Sequence, residues 1–399
     1  MLGDMTRIFL IVVVFCALSA RAQQSLVISG GDVDREQVLV EFDLPKDSQI
    51  PAVRDSAGKL SPIQKSDVRG SLLLKNLPKG RDVKLSLVEM VSVGDAVKVQ
   101  RDGKKLKVSA GGKPLLEYQA EPGEFPRADI KPLFRRGGYI HPIYSLSGKV
   151  ITDDFPPNHI HHHGVWFSWS QAGFEGRTTD FWNMGDGKGL VEFVGVGQTW
   201  SGPVHGGFTT KHRYVDLTGG APKTALNEEW EVRILNRFPD QKFWVFDLSC
   251  TQRCASTAIK FPEYRYGGVG LRGNWGWNGK DAMEFLTSEG ITDRIKGHGT
   301  HGRWCDMHGK IDGQEVGITV MGHPENFRAP EPMRLHPSEP FFNFAPQEAG
   351  EFDLQPGKTY VARYRFVIHE GAPDKELLDR LWAGYANPPK VALTNSGGK

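Results

Sequence analysis

Short runs of apolar residues alternating with polar ones dominate the first hundred residues. The segments "VLVEFDL" (38–44), "SLLLKNL" (71–77) and "VKLSLVEMV" (83–91) are β-rich and are separated by turn-forming residues. No helical period is convincing in this region. The pattern predicts a small β-sandwich-like domain over residues 23–100.

The same pattern of short β-rich runs separated by turn-forming residues continues over residues 101–370. Segments such as "GVWFSWS", "GLVEFVGVGQTW" and "KFWVFDLSCTQRC" predict strands, and the 47 glycines and 25 prolines of the chain supply turns. No alternation of strands with helices suggests a parallel sheet. We therefore predict an all-β fold whose main part is a large antiparallel β-supersandwich.

One helix is predicted near the C-terminus, within residues 371–399, which we assign as a helix and tail. In "PDKELLDRLWAGY" the apolar residues share one face of a helix that begins after Pro373-Asp374. This stripe consists of Leu377, Leu378, Leu381, Trp382 and Tyr385.

The N-terminus resembles an export signal. An apolar run from Ile8 to Leu18 precedes Ala20-Arg21-Ala22, a small-x-small cleavage pattern, so we predict a signal peptide over residues 1–22 and a periplasmic or secreted protein. No later run approaches the roughly 20 apolar residues of a membrane span. Removing Cys16 leaves Cys250, Cys254 and Cys305, for which a Cys250–Cys254 bridge and free buried thiols both remain open.

Charge and motifs narrow the function classes. The formal net charge is +2, and no basic block interleaved with aromatic residues is present, so nucleic acid is not expected as a partner. Nucleophile-elbow, phosphate-loop, zinc-protease and dinucleotide-binding patterns are also missing from the sequence.

The segment "DDFPPNHIHHHGVWFSWS" (153–170) carries the strongest chemical signal. If residues 159–169 were extended after the proline turn, His159, His161 and His163 would share one face of a strand. Three interpretations remain open: a divalent metal held by these histidines, a metal-free catalytic or binding pocket, or structural histidines. The neighbouring aromatic residues favour a pocket that stacks on sugar rings and needs no cofactor.

Other residues complete the candidate site. The proposed catalytic residues are His161 and His163, with Glu263 or Asp180 as the partner carboxylate; the alternatives are a surface position for Glu263 and an Asx turn for Asp180. Polar, aromatic and loop positions typical of ligand-binding rims give the candidate substrate-binding residues. These are His141, His162, Trp166, Trp182, Arg272, Trp304, Asp306, His323 and Arg328.

Several motifs in order, among them "TTDFWNMG", "EYRYGGVGLRGN", "RWCDMHGK" and "YRFVIHEG", resemble the bacterial family labelled methane oxygenase PmoA, a domain of unknown function, over roughly residues 105–370. Asn158-His159-Ile160-His161 followed by Gly164 is also similar to the N-H-L-H-G-G stretch of galactose-mutarotase-like proteins. That resemblance implies a supersandwich fold, a sugar ligand and a pocket role for His161. The second histidine motif and the C-terminal base of those proteins have no match here.

We therefore predict a carbohydrate-active protein that performs histidine and carboxylate acid–base chemistry on a sugar or modified sugar, as an epimerase, lyase or hydrolase does. The alternatives are a carbohydrate-binding protein without catalysis and a metal-dependent oxidative or cupin-like enzyme.

Overall fold

A computed structural model of the protein describes residues 24–44, 52–88 and 96–395. The predicted signal peptide and Cys16 lie outside these residues. The prediction of an all-β protein is confirmed, because antiparallel strands account for most of the described chain.

The N-terminal part consists of two small sheets packed face to face. Its strands are β1 (Gln24–Ile28), β2 (Arg35–Asp43), β3 (Ala52–Arg54), β4 (Leu60–Pro62), β5 (Gln64–Ser66), β6 (Arg69–Leu77) and β7 (Val83–Val88). The sheet β2-β6-β5 packs on a sheet that contains β1-β7-β3-β4. Alternate residues such as Leu26, Val38 and Leu72 point inward and form their common core.

The body begins with five strands of the first large sheet, followed by two strands of a small sheet. They are β8 (Val97–Asp102), β9 (Lys105–Ala110), β10 (Lys113–Gln119), β11 (Tyr139–Ile143), β12 (Val165–Ser168), β13 (Ala172–Phe174) and β14 (Arg177–Thr179). The long strands that follow are β15 (Gly189–Trp200), β16 (His205–Asp216), β17 (Lys223–Leu235) and β18 (Phe243–Cys254).

The remaining elements complete the body and return to the N-terminal part. They are β19 (Ile259–Phe261), β20 (Gly268–Arg272), β21 (Met283–Thr287), α1 (Arg294–Gly297), β22 (Trp304–Ile311), β23 (Gln314–Gly322), β24 (Met333–Leu335), β25 (Phe341–Phe344), β26 (Phe352–Leu354), β27 (Tyr360–Glu370), α2 (Lys375–Ala386) and β28 (Val391–Asn395).

Within residues 96–395, two large antiparallel sheets form the sandwich. Their strand orders are β24-β25-β20-β12-β11-β10-β9-β8 and β15-β16-β17-β18-β27-β23-β22-β21, and a smaller sheet runs β14-β13-β19-β26. One apolar core lies between the large sheets and includes Phe167 and Leu271 from the first sheet and Trp230 and Ile318 from the second. The first sheet carries the histidine segment on the connection between β11 and β12.

The predicted C-terminal helix is confirmed as α2. Asp374 caps it by accepting a hydrogen bond from the Leu377 N–H at 3.0 Å. Leu378 and Leu381 are buried, and a Cβ placed on Gly384 would lie 2.7 Å from the Glu36 carbonyl oxygen, so the helix packs tightly on β2. The segment after it is not a free tail throughout, because β28 pairs antiparallel with β1.

Cys250, Cys254 and Cys305 are free thiols in the structure. Across the described residues, no helix has the length and apolar character needed to cross a membrane.

Candidate active site

The histidine segment is built from turns. The His159 N–H donates to the Pro156 carbonyl at 3.0 Å, and the His162 N–H donates to the His159 carbonyl at 2.8 Å. These two i to i+3 bonds fold residues 156–162 into successive turns, and β12 starts only at Val165. The expected extended strand with His159, His161 and His163 on one face is therefore wrong.

His159, His161 and His162 instead form an outer histidine cluster. The His162 ring lies 4.7 Å from each of the other two ring centroids, stacked on His159 and edge-on to His161. His162 is buried and also stacks on Phe341 at 4.6 Å. Burial, followed by neighbouring histidines, lowers the pKa of His161 to about 3 and that of His162 well below its usual value. The His161 and His162 imidazoles are therefore neutral at physiological pH.

Arg272 connects this cluster to loops that are distant in the sequence. Its buried guanidinium donates to Glu339 Oε2 at 2.6 Å, to Asn158 Oδ1 at 3.1 Å and to Asn278 Oδ1 at 2.9 Å. Glu339 Oε2 also lies 2.9 Å from His159 Nδ1. Burial opposes ionisation of Glu339, but its contacts with His159 and Arg272 lower its pKa to about 2. Arg272 is thus engaged in holding the turns in place.

The His163 ring points away from the outer histidine cluster and pairs with Asp154. Its Nδ1 lies 2.5 Å from Asp154 Oδ1, and the Tyr139 hydroxyl donates to Asp154 Oδ2 at 2.9 Å. The His163 ring stacks on Tyr139 with centroids 4.2 Å apart. Burial lowers the pKa of His163 well below its usual value, so we assign a neutral ring whose Nδ1–H donates to the carboxylate.

Gly164 makes this arrangement possible. A Cβ at this position would lie 2.3 Å from the Ile140 carbonyl oxygen on β11, so any side chain would push the histidine segment away from that strand. The close approach keeps His163 beside Tyr139, whose neighbour Ile140 pairs with Val165.

Asp154 has the acid–base properties expected of a proton-transfer group. Burial raises its pKa to about 6, although His141, Tyr139 and Arg136 act in the opposite direction. Burial also raises the pKa of the adjacent Asp153, whose Oδ2 is buried without a hydrogen-bond partner among the described residues. A carboxyl group that titrates near neutral pH is suited to donate or accept a proton.

Asp154 lines a cleft of about 370 Å³ beside β11. The cleft mixes apolar rings with hydrogen-bonding and charged groups, as small polar ligands require. Its walls are formed by Lys105, Gln119, Gly123, Glu124, Phe125, Pro126, Arg135, Arg136, Tyr139, His141, Pro142, Asp153, Asp154 and Phe155. Of the residues predicted from sequence, His141 lies directly in this wall, with Nδ1 2.9 Å from Thr152 Oγ1.

The predicted aromatic residues separate into different environments. Trp166 and Trp182 are buried with ring centroids 5.1 Å apart and pack beside His162. They support the outer histidine cluster from below rather than offering open faces to a ligand. Trp304 is buried under α2, where its indole N–H donates to Asp379 Oδ1 at 3.0 Å.

The predicted carboxylates also separate. Glu263 is exposed. Asp180 is fully buried in a turn: Oδ1 accepts from the Trp182 and Asn183 N–H groups at 2.9 and 2.8 Å, and Oδ2 from two side-chain amides at 3.0 Å. This is the Asx-turn alternative. Neither residue lines the cleft.

Asp306, His323 and Arg328 lie away from the cleft. Asp306 is buried between His308 and His369, at 2.8 and 2.9 Å. His323 packs edge-on against Tyr385 of α2 at 5.0 Å. Arg328 donates to the backbone carbonyls of Pro346, Gly350 and Glu351 and so fixes a loop.

No group of three or more His, Cys, Asp and Glu side chains in residues 24–44, 52–88 and 96–395 is arranged to hold a metal ion. For the candidate set His159, His161 and His163, the turns explain this, because His163 faces Tyr139 while the other two face each other.

The residues missed by the sequence analysis are Asp153, Asp154, Tyr139 and Arg136. Adjacent carboxylates directly before a proline turn were visible in "DDFPPNH", and they were the available signal. Tyr139 and Arg136 carried none, because their relation to Asp154 depends on how β11 returns past the turn.

The chain belongs to a family of unknown function, DUF6807, whose family model matches residues 105–383. The expected membership of an uncharacterised family is thereby confirmed; the methane oxygenase label and the mutarotase resemblance are not. No curated protein matches the chain.

Similar solved structures include a glycosyl hydrolase family 38 protein from Enterococcus faecalis (10% identity, TM-score 0.44, covering 95% of this chain and 48% of that one). An alpha-mannosidase from Enterococcus faecalis V583 shows 11% identity and a TM-score of 0.41 over 94% of this chain and 46% of its own. The chain thus spans about half the length of these proteins.

Proposed function

We propose that the cleft beside β11 binds a carbohydrate and that Asp154, positioned by His163 and Tyr139, transfers a proton on it. The observation that carries this proposal is the Asp154 carboxyl group, which lines the cleft while accepting hydrogen bonds from two buried side chains. The carboxylate in this proposal is thus Asp154, whereas the sequence favoured Glu263 or Asp180.

The lining of the cleft suits a sugar. Phe125, Tyr139 and Pro142 offer apolar surface for the C–H faces of a sugar ring, while Gln119 and Asp153 offer hydrogen-bonding groups for hydroxyls. The volume of about 370 Å³ lies within the usual range of small-molecule pockets.

In this proposal the charged Asp154 carboxylate transfers the proton, and the neutral His163 and Tyr139 side chains hold this carboxylate in place. With a pKa of about 6, Asp154 is largely ionised at neutral pH and accepts a proton from the bound sugar. The His163 Nδ1–H and the Tyr139 hydroxyl fix its orientation and stabilise the carboxylate. Epimerases and lyases use a base that takes a proton from the sugar, whereas in a hydrolase the same carboxylate would take a proton from the attacking water.

A glycan screen by thermal shift on wild type and Asp154→Asn, followed by turnover assays on the hits, tests the proposal. We expect the same glycans to raise Tm in both proteins and only wild type to turn them over. The matched control is Asp32→Asn, which removes an exposed carboxylate from the N-terminal part. Equal turnover by Asp154→Asn would contradict the catalytic role, and stabilisation without turnover in either protein would leave a binding protein.

A further inference from the structure

Arg136 stands out among the buried arginines of the described residues. It is only 4% exposed, and its Nε donates to the Gly137 carbonyl at 3.2 Å. Its Nη2 is buried without a hydrogen-bond partner, and in the described part of the chain the guanidinium forms no ion pair. Arg136 also lines the cleft that contains Asp154.

The other buried arginines each bind a carboxylate or several backbone carbonyls, although Arg272 Nε and Arg365 Nη1 also lack a hydrogen-bond partner among the described residues. Arg365 forms a two-pronged pair with Asp247 at 2.7 and 2.9 Å, and Arg272 pairs with Glu339 at 2.6 Å. Arg35 and Arg294 donate to several backbone carbonyls. A buried guanidinium without such partners is costly, because the charge has lost its hydration and gained little in return.

The surroundings of Arg136 do not replace a partner. Burial lowers the pKa of Arg136. The nearby Tyr214, Tyr139 and Glu228 raise it in part, but only by electrostatic interaction at a distance. Glu228 is already occupied, since it lies 2.7 Å from His212 Nδ1 and accepts hydrogen bonds from Tyr214 and Gln252 at 2.9 and 2.7 Å.

We infer that the ligand of the cleft carries a carboxylate that Arg136 binds, so that the substrate belongs to the uronic acids. The inference rests on the proposed function and names its substrate class. A carboxylate presents two oxygens in the plane that matches the guanidinium fork. Arg135 and Lys105 lie in the same cleft and add positive charge, although Lys105 also pairs with Glu117.

The negative groups of the cleft favour a carboxylate over a phosphate. Glu124, Asp153 and Asp154 share the lining with the arginines. A phosphate monoester carries close to two charges at neutral pH and is repelled more strongly by these groups than a singly charged carboxylate.

The test compares binding of oligosaccharides of galacturonate, glucuronate and mannuronate with their carboxyl-reduced, neutral counterparts, by calorimetry on the full chain. Sulfated and phosphorylated sugars form additional arms. We expect a uronate ligand to bind at least about 30-fold more tightly than its neutral counterpart, the effect typical of a buried charge pair. Arg136→Gln should abolish this preference, whereas Arg253→Gln, on the exposed side of β18, should retain it.

The comparison on wild type does not depend on the Arg136→Gln protein being folded. If neutral sugars bind as tightly as the uronates, or sulfated or phosphorylated sugars are preferred, the inference is overturned and the proposed function stands. The inference also fails if folded Arg136→Gln keeps the uronate preference. If none of the sugars binds, the proposed function itself fails.

Discussion

Replacing Asp154 by Asn tests the role of this residue in two independent ways. The substitution preserves the shape of the side chain, and Oδ1 of the amide can still accept from the His163 Nδ1–H. It removes the negative charge and the ability to take up a proton. Because general acid–base catalysis contributes about 10²–10⁴-fold, we expect kcat to fall at least about 100-fold.

The same substitution should stabilise the fold at neutral pH. The pKa of Asp154 is about 6 in the folded protein against 3.8 for an unperturbed aspartate, so ionised Asp154 opposes folding. A difference of about two units corresponds to roughly 3 kcal/mol at 1.36 kcal/mol per unit, as an upper value. For a raised carboxyl pKa, this penalty is complete above the folded pKa and vanishes below the unfolded pKa.

Chemical denaturation at pH 4, 6 and 8, together with turnover of a glycan identified in the screen, measures both effects. The expected signature is a variant that loses activity and gains stability at pH 8, with the gain shrinking toward pH 4. The reasoning is refuted if turnover stays within twofold of wild type. It is equally refuted if the stability difference is the same at pH 4 and pH 8, because the perturbed carboxyl group would then be absent.

Three further predictions concern the supporting structure. His163→Ala removes an N–H donor from the Asp154 carboxylate, so the pH midpoint of kcat/KM should move upward; an unchanged pH profile would argue against the pairing. Asp306→Asn should lower the unfolding free energy by about 3 kcal/mol, most strongly between pH about 4 and 6.5. In this window Asp306 is ionised, because the paired histidines lower its pKa although burial raises it. His308 is still protonated there, because its contact with Asp306 raises its pKa although burial lowers it. Urea titrations that show a pH-independent loss would contradict this. Gly384→Val should cost about 1–3 kcal/mol in thermal or urea unfolding, because its side chain meets the β2 backbone, and an unaltered stability would show that α2 can shift.

The fold class and the C-terminal helix were predictable because their signals are local. Alternating apolar residues determine which face of a strand is buried, and the stripe containing Leu378 and Leu381 determines which face of α2 packs on the protein. β28 was not predictable in this way, because its partner β1 lies more than 360 residues earlier in the chain.

The candidate site was predictable only in part. Composition drew attention to the histidine segment, and His163 and His141 do lie by the cleft or in its wall. The direction of each imidazole depends on the turn bonds at His159 and His162 and on Glu339, which approaches from another loop. The role of Asp154 depends on its burial against Tyr139 and β11. This burial raises the pKa of the carboxyl group, and no local sequence pattern reveals the burial.

A crystal structure of the Asp154→Asn protein with a bound glycan tests the central claim most directly. The account predicts a sugar in the cleft between Tyr139, His141 and Arg136, with one of its hydrogens within reach of residue 154. A sugar bound instead on the outer histidine cluster, or in the groove of about 660 Å³ beside Trp200 and His205, would contradict it.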